Sequence, residues 1–286
     1  APRGRRPSGG LLGVVPFFVY TTVFLLIPTL VVIVGAFLDA DGAPTTANIE
    51  ALTSPSVVRG LRNSVVLSAV TAVVGAIVGG ILAYAVSTAS ATSVVKRFIT
   101  SLCGVLAQFG GVALAFAFVA SFGATGLITA WLAAIGVDTG TGFWLYEWNK
   151  GLMLIYLYFQ IPLMVIVFLP AVEGLRPQWR EATETLGGTT WTYWRRVAGP
   201  ILVPSFVGGM LLLFTNAFSA YATAKALISQ GSPLLPLQIA GTMSSEVILG
   251  QENVGKAMAL AMVVVVALVM TAYVMLDRRT SKWMPR

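Results

Sequence analysis

Long uninterrupted apolar runs alternate with short polar stretches along this chain, and the runs set the first expectation. Uncharged apolar segments cover residues 11–38, 64–86, 98–122, 151–172, 197–224 and 257–276. Each can cross a hydrocarbon layer of about 30 Å as an α-helix rising about 1.5 Å per residue. The runs are continuous, whereas the strands of a membrane barrel read as short alternating segments. The pattern therefore predicts an all-α, polytopic membrane protein of about six transmembrane helices in a single domain spanning residues 1–286. The first run is far longer than the core of a secretory signal and has no convincing cleavage site behind it, so it is expected to stay as the first span.

Composition agrees with a bilayer as solvent. Hydrophobic residues make up 57% and charged residues 10% of the 286, with a mean hydropathy of +0.85; that leaves too few charges to coat a soluble surface. The net charge of +7 reports topology rather than nucleic acid binding, because the basic residues sit beside apolar runs. With both termini in the cytoplasm, the inner side collects Arg3, Arg5, Arg6, Lys96, Arg97, Arg176, Arg180, Arg195, Arg196, Arg278, Arg279, Lys282 and Arg286. Arg59, Arg62, Lys150, Lys225 and Lys256 fall outside with Asp39, Asp41, Glu50, Asp138, Glu147, Glu246 and Glu252, as the positive-inside rule asks. There is no histidine and a single cysteine, Cys103, inside an apolar run. A haem held by histidine, a zinc site of the usual ligand sets and an internal disulfide are thereby excluded, and Cys103 reads as a small core hydrophobe. No metal site is expected. Prolines at 16, 28, 162, 200 and 204 and glycine pairs at 79–80, 110–111 and 208–209 predict kinks and close helix contacts.

One polar loop is long enough to have structure of its own, residues 173–200. Pro177 suits an early helix position, Glu181 and Glu184 are expected near the helix start, and Gly187 with Gly188 provides a stop, which predicts a short helix over about 177–186. Beyond the glycines Trp191, Trp194 and Val197 recur at helical spacing beside Arg195 and Arg196, predicting a second short amphipathic helix that enters the membrane at Pro200. From the residues alone the pair reads equally as an interfacial lipid anchor or as a docking surface for a partner.

The loop resembles the EAA loop of binding-protein-dependent ABC importers of the maltose and spermidine type. That pattern is Glu-Ala-Ala, three residues, Gly, nine residues, then Ile-x-Leu-Pro. Glu181, Ala182, Gly187 and Pro200 stand at its positions, while Thr183, Val197 and Gly199 replace the second alanine, the isoleucine and the leucine. The resemblance implies the fold of a type I ABC importer permease whose cytoplasmic coupling helix, carried by Glu181, Ala182 and Gly187 with Pro200 closing the motif, docks on an ATPase. It further implies a second permease subunit of a related but different chain, two ATPase subunits, an extracytoplasmic solute-binding protein, contact with membrane lipid but not nucleic acid, and the cell membrane of a prokaryote as location. No phosphate-binding loop is present in this chain, so ATP and Mg belong to the partner ATPase and no cofactor is expected here. The stretches from Phe214 to Ala224 and Leu235 to Ile239 look like those of spermidine and putrescine permeases, which implies a polyamine or another small polar solute.

Polar residues inside the runs nominate the solute path: Asn216, Ser219 and Thr223, which share a face at helical spacing, together with Gln108 and Gln160. Lys225 is offset from that face and is expected to reach the outer headgroups. The alternative function is an ion-coupled secondary transporter, but such carriers commonly bury carboxylates in their spans and the six runs contain none. No constellation suited to catalysis appears, so the chain is not read as an enzyme.

Overall fold

The apolar runs become helices. A computed structural model describes residues 10–90, 93–137, 144–228, 233–244 and 252–280, with side chains placed between residues 14 and 275. In chain order the helices are α1 (Gly10–Thr21), α2 (Ile27–Gly35), α3 (Ala47–Glu50), α4 (Pro55–Ser87), α5 (Val94–Gln108), α6 (Gly111–Phe122), α7 (Leu127–Ala134), α8 (Gly151–Glu173), α9 (Pro177–Thr185), α10 (Thr190–Tyr193), α11 (Gly199–Ser219), α12 (Ala222–Leu227), α13 (Leu235–Ser244) and α14 (Glu252–Thr280). Among the described residues the one extended pairing is an isolated bridge between Leu38 and Pro44. Six stretches are long and apolar enough to cross a membrane: Val14–Gly35, Pro55–Ser87, Gly111–Ala134, Gly151–Glu173, Thr190–Ser219 and Glu252–Met275. Arg3, Arg5, Arg6, Asp138, Glu246, Lys282 and Arg286, and the side chains of Arg278 and Arg279, lie outside the described residues.

Two of the six expected spans differ from their apolar runs. The run over 98–122 is not one helix: α5 stops at Gln108 and α6 starts at Gly111. Gly110 is extended (φ −137°, ψ −163°) and Gly111 has φ +68°, a left-handed conformation that only glycine adopts freely. This glycine pair therefore breaks the helix instead of packing it. The run over 197–224 is also interrupted, because α11 ends at Ser219 and Ala220 leaves the helical region at ψ 107°. At its other end the span begins early. The second amphipathic helix expected before Pro200 is not separate, since α10 passes through a π turn at Trp194–Ala198 straight into α11.

That π turn has a local cause, and it occurs twice. Proline has no N–H to give to the carbonyl four residues back, and its ring crowds that carbonyl. Ahead of Pro200 the chain widens so that the Gly199 N–H bonds to the Trp194 carbonyl five residues back. Ahead of Pro28 it does the same over Thr22–Leu26, with the Ile27 N–H on the Thr22 carbonyl. Such single wide turns keep the helix continuous while re-aiming the rest of the span.

The chain divides into two compact units, Ala1–Val58 with Gln238–Val264 and Arg59–Leu237 with Val265–Arg286. In the first, the turn after α2 is held by Asn48, buried, whose Nδ2 donates to the Leu38 carbonyl at 2.7 Å and the Ala36 carbonyl at 3.3 Å. Asn253 Nδ2 donates to the Asp39 carbonyl at 2.9 Å, and the Lys256 side chain lies over Gly35 with its Nζ on Asn253 Oδ1 at 2.8 Å.

The second unit carries the core, drawn from Leu67 of α4, Leu114 and Ala115 of α6, Leu152, Ile155, Tyr156 and Phe159 of α8, Ala217 of α11 and Ala224 and Leu227 of α12. Lipid tails are as apolar as leucine, so these helices associate through close packing and hydrogen bonds rather than hydrophobic exclusion. α4 supplies the close approach: Ser64, Ser68, Thr71, Ala72, Gly75, Ala76, Gly79 and Ala83 are buried along it. A Cβ on Gly79 would stand 2.5 Å from Met164 Cβ and 2.7 Å from the Ile161 carbonyl oxygen of α8. From α11 a Cβ on Gly209 would reach the Met164 sulfur at 2.8 Å. Ser64 Oγ accepts from the Leu235 N–H at 2.9 Å, and Asn63 Nδ2 donates to the Pro233 carbonyl at 3.0 Å.

Gly79→Leu is expected to force α4 off α8 and lower stability by about 3 kcal/mol, the upper range for overpacking a filled core. Gly104→Ala, where a Cβ meets nothing within 4 Å, serves as the neutral comparison. Thermal unfolding of both variants in the same lipid nanodiscs checks this, and equal midpoints would contradict the packing described.

Candidate functional site

The loop between α8 and α11 folds as a short helix with a closed end. α9 begins at Pro177, with Arg176 extended before it, where a missing proline N–H costs nothing. It ends in a Schellman motif: the Gly187 N–H bonds to the Glu184 carbonyl at 2.9 Å and the Gly188 N–H to the Thr183 carbonyl at 2.8 Å, with Gly187 at φ +75°. Two orphan carbonyls are thereby satisfied. Both glycines are needed for different reasons. Gly187 supplies the left-handed backbone, whereas a Cβ on Gly188 would stand 2.7 Å from the Thr183 methyl group. Thr189 then caps α10, its Oγ1 accepting from the Thr192 N–H at 3.3 Å.

The two glutamates are not where the sequence put them. No acid occupies the first turn of α9; Glu181 is its fifth residue and Glu184 lies in its last turn. The helix starts at Pro177 as expected, and counting from there puts both acids beyond its first turn. Glu184 instead pairs with Arg180 one turn earlier at 3.0 Å, an exposed pair of small energetic weight. Glu181, Ala182 and Gly187 are all exposed, no residue of α9 is buried, and Leu186 beside the glycine turn is 88% exposed. A helix that buries nothing in its own chain contributes nothing to its own core. Pro200 is the second residue of α11 and exposed, and acts through the π turn ahead of it.

The loop is tied to the spans behind it. Lys96 Nζ at the start of α5 pairs with Glu173 Oε1 at the end of α8 at 2.6 Å, with the lysine 15% exposed. Trp194 meets Tyr84 near the end of α4 edge-on, ring centroids 5.1 Å apart. Between them a chamber of about 770 Å³ opens behind α9, lined in part by Lys96, Glu173, Arg176, Arg180 and Tyr193. The chain on either side of α9 is thus anchored to the spans, at Glu173 before it and at Trp194 after it.

The path candidates separate into three groups. Asn216 and Thr223 line one recess of about 210 Å³ with Ala107, Gly110, Gly111, Phe159 and Tyr221. They meet there because both α5–α6 and α11–α12 break beside it, not because they share a helix face; Thr223 belongs to α12, past the break at Ala220. Ser219 does not line it: its Oγ donates to the Thr215 carbonyl at 2.9 Å. Gln108 is the exposed last residue of α5, next to the break. Gln160 is fully buried elsewhere, its Nε2 donating to Thr71 Oγ1 at 2.8 Å, and its Oε1 has no partner among the described residues. Lys225 is exposed in the last turn of α12.

Tyr156 was not singled out in the sequence, and it bonds the chain at the break beside the recess. Fully buried on α8, it donates from its hydroxyl to the Ala220 carbonyl at 2.9 Å, satisfying a group freed by the α11 break. No periodicity marks that tyrosine among the apolar residues of α8. Leu186 and Thr189 were also missed, although Thr-Thr after Gly-Gly is a capping signal.

The chain matches the model of the family described as binding-protein-dependent transport system inner membrane component over residues 93–282, more than half its length and including both the loop and the recess. It is 32% identical over 100 residues to the sulfate transport system permease protein CysT of Escherichia coli, covering 35% of this chain and 34% of that protein. It is 25% identical over 155 residues to the probable starch degradation products transport system permease protein AmyD of Thermoanaerobacterium thermosulfurigenes, covering 52% and 49%. The aligned parts thus span a third to a half of these relatives. In fold it is similar to a chain of a bacterial ABC transporter involved in the import of the acidic polysaccharide alginate, with TM-score 0.73 and 17% identity over 95% of this chain and 96% of that one. The chain is a multi-pass membrane protein and belongs to the family of inner membrane components of binding-protein-dependent transport systems.

Proposed function

We propose that this chain is a permease subunit of an ATP-driven solute importer, forming the translocation path by alternating access with a second permease subunit. Two ATPase subunits take up α9 on the inner face, hydrolysing ATP with Mg, and an extracytoplasmic binding protein delivers the solute. The observation that carries this reading is α9: an exposed, capped helix with Leu186 presented to solvent, closed by Gly187 and Gly188, with the chain before and after it anchored to the spans by Lys96–Glu173 and Tyr84–Trp194. A partner that binds one of two helix packings better than the other shifts the equilibrium between them by that difference. A rigid docking helix transmits the preference where a flexible loop would absorb it. The solute is a small polar one. The relatives' names, sulfate for one and starch degradation products for the other, differ too much to fix it.

Residues 173–200 act as one coupling segment within a single permease domain. Both termini and α9 face the cytoplasm, and the turn around Asp41 faces outward, in a prokaryotic cell membrane. Support comes from the basic residues at Lys96, Arg97, Arg176, Arg180, Arg195 and Arg196 beside the same ends of the spans.

Gly187→Val places a β-branched residue at φ +75°, at a cost of about 1–2 kcal/mol, and is expected to reduce co-purification of the ATPase or coupled transport about tenfold, with membrane insertion intact. Gly187→Asn, which tolerates that backbone, should retain most of it. Normal assembly and transport by Gly187→Val would count against α9 as the docking element.

On a Cys103→Ala background, a membrane-impermeant maleimide applied to intact cells should label Asp41→Cys and spare Leu186→Cys; in inverted vesicles the pattern should reverse. Labelling of Leu186→Cys in intact cells would overturn the orientation.

A further inference from the structure

The recess beside the two helix breaks carries three side-chain hydrogen-bond donors, Asn216, Tyr221 and Thr223, among alanines, glycines and Phe159, and no acid lines it. Gly110, the N-cap of α6, has no side chain to cap the helix, so the N–H groups of its first turn are without a capping partner. A Cβ on Gly110 would meet nothing within 4 Å, so the space before that helix end is open. Across the recess Thr223 is 3% exposed, yet its hydroxyl has no hydrogen-bond partner among the described residues. Other helical threonines behave differently. Thr71, Thr100, Thr183, Thr215 and Thr271 each donate to the carbonyl four residues back. For Thr223 that carbonyl belongs to Ser219, on the far side of the break.

Chemistry and size then limit what fits. The lining contains no aspartate or glutamate, so a polyamine would lose hydration without meeting a counter-charge. An anion meets the positive end of a twelve-residue helix, α6, together with the Thr223 hydroxyl and the Asn216 amide, an arrangement suited to negative charge. At about 210 Å³ the recess is smaller than pockets for drug-sized ligands. Its donors are neutral, with no fixed cation among the lining residues. Binding is thereby weak enough for release, as conduction through a membrane site demands. The geometry points to a transient subsite for a small oxyanion on the translocation path, held by the start of α6, Thr223 and Asn216. This rests on the importer reading and names its solute class.

The test uses the whole complex, permease with its ATPase and binding protein, in proteoliposomes. Radiolabelled sulfate, molybdate and phosphate are offered one at a time, with putrescine and maltotriose alongside. ATP-dependent uptake of at least one oxyanion is expected. Asn216→Asp keeps the shape and adds a negative charge, and should cut that uptake by about tenfold or more. Thr223→Val, which removes a hydrogen bond to a charged group, should cut it about tenfold. Thr215→Val, whose hydroxyl bonds within α11 away from the recess, should leave it unchanged. Oxyanion uptake indifferent to both Asn216→Asp and Thr223→Val would overturn the subsite. Failure of all three oxyanions would overturn the solute class. In that event the importer reading survives if the ATPase co-purifies and falls if it does not.

Discussion

Inside hydrocarbon a backbone amide or carbonyl has no water to bond, so each must be satisfied by the protein or face a polar space. Most of the features specific to this chain arise at the places where proline and glycine make that hard. At Pro28 and Pro200 the solution is a wide turn that closes a five-residue bond and keeps the span continuous. At Ala220 the freed carbonyl is taken by Tyr156 from the neighbouring helix. At Gly110 the freed N–H groups open onto the recess instead. Breaks that cost stability in a soluble helix thus become the polar features of an otherwise apolar body.

Outside the spans, where water can satisfy the backbone, glycine and threonine shape the loop through its caps instead. Between α8 and α11 the chain must end one helix and start another within a few residues. Gly187, Gly188 and Thr189 do so with every cap in place. The product is a capped helix with no buried residue, and the Lys96–Glu173 pair joins the ends of α5 and α8 just ahead of it.

The number of spans and the short loop helix were legible in the sequence from the count of apolar runs and a proline-to-glycine interval, although two runs did not map onto single helices. Charge told less. Glu181 and Glu184 were placed near a helix start from dipole reasoning, yet both lie past the first turn of the helix that begins at Pro177 as expected, and Glu184 finds its partner in Arg180. Asn216 and Thr223 were nominated on a shared helical face, and they do line one recess, but through a chain break that the uninterrupted apolarity of residues 197–224 hid. Gln160 was nominated for its polarity alone and turns out to bond Thr71 inside the helix packing. Hydropathy sums over a window, so a one-residue departure at Ala220 or a left-handed Gly111 leaves no trace in it. Periodicity gave no reason for the exposure of α9; the docking role implied by the loop's resemblance to a known pattern is the proposed one.

The central claim is that α9 is ordered for a partner and not for its own chain. Amide hydrogen exchange across residues 177–187, compared between the isolated chain and the complex assembled with the proposed ATPase partner in the same nanodiscs, tests it most directly. Slower exchange by about an order of magnitude or more on assembly is predicted for this segment, since docking removes its local opening, while the core of α8 exchanges equally in both. Unchanged exchange over 177–187 in a complex that hydrolyses ATP would contradict the account.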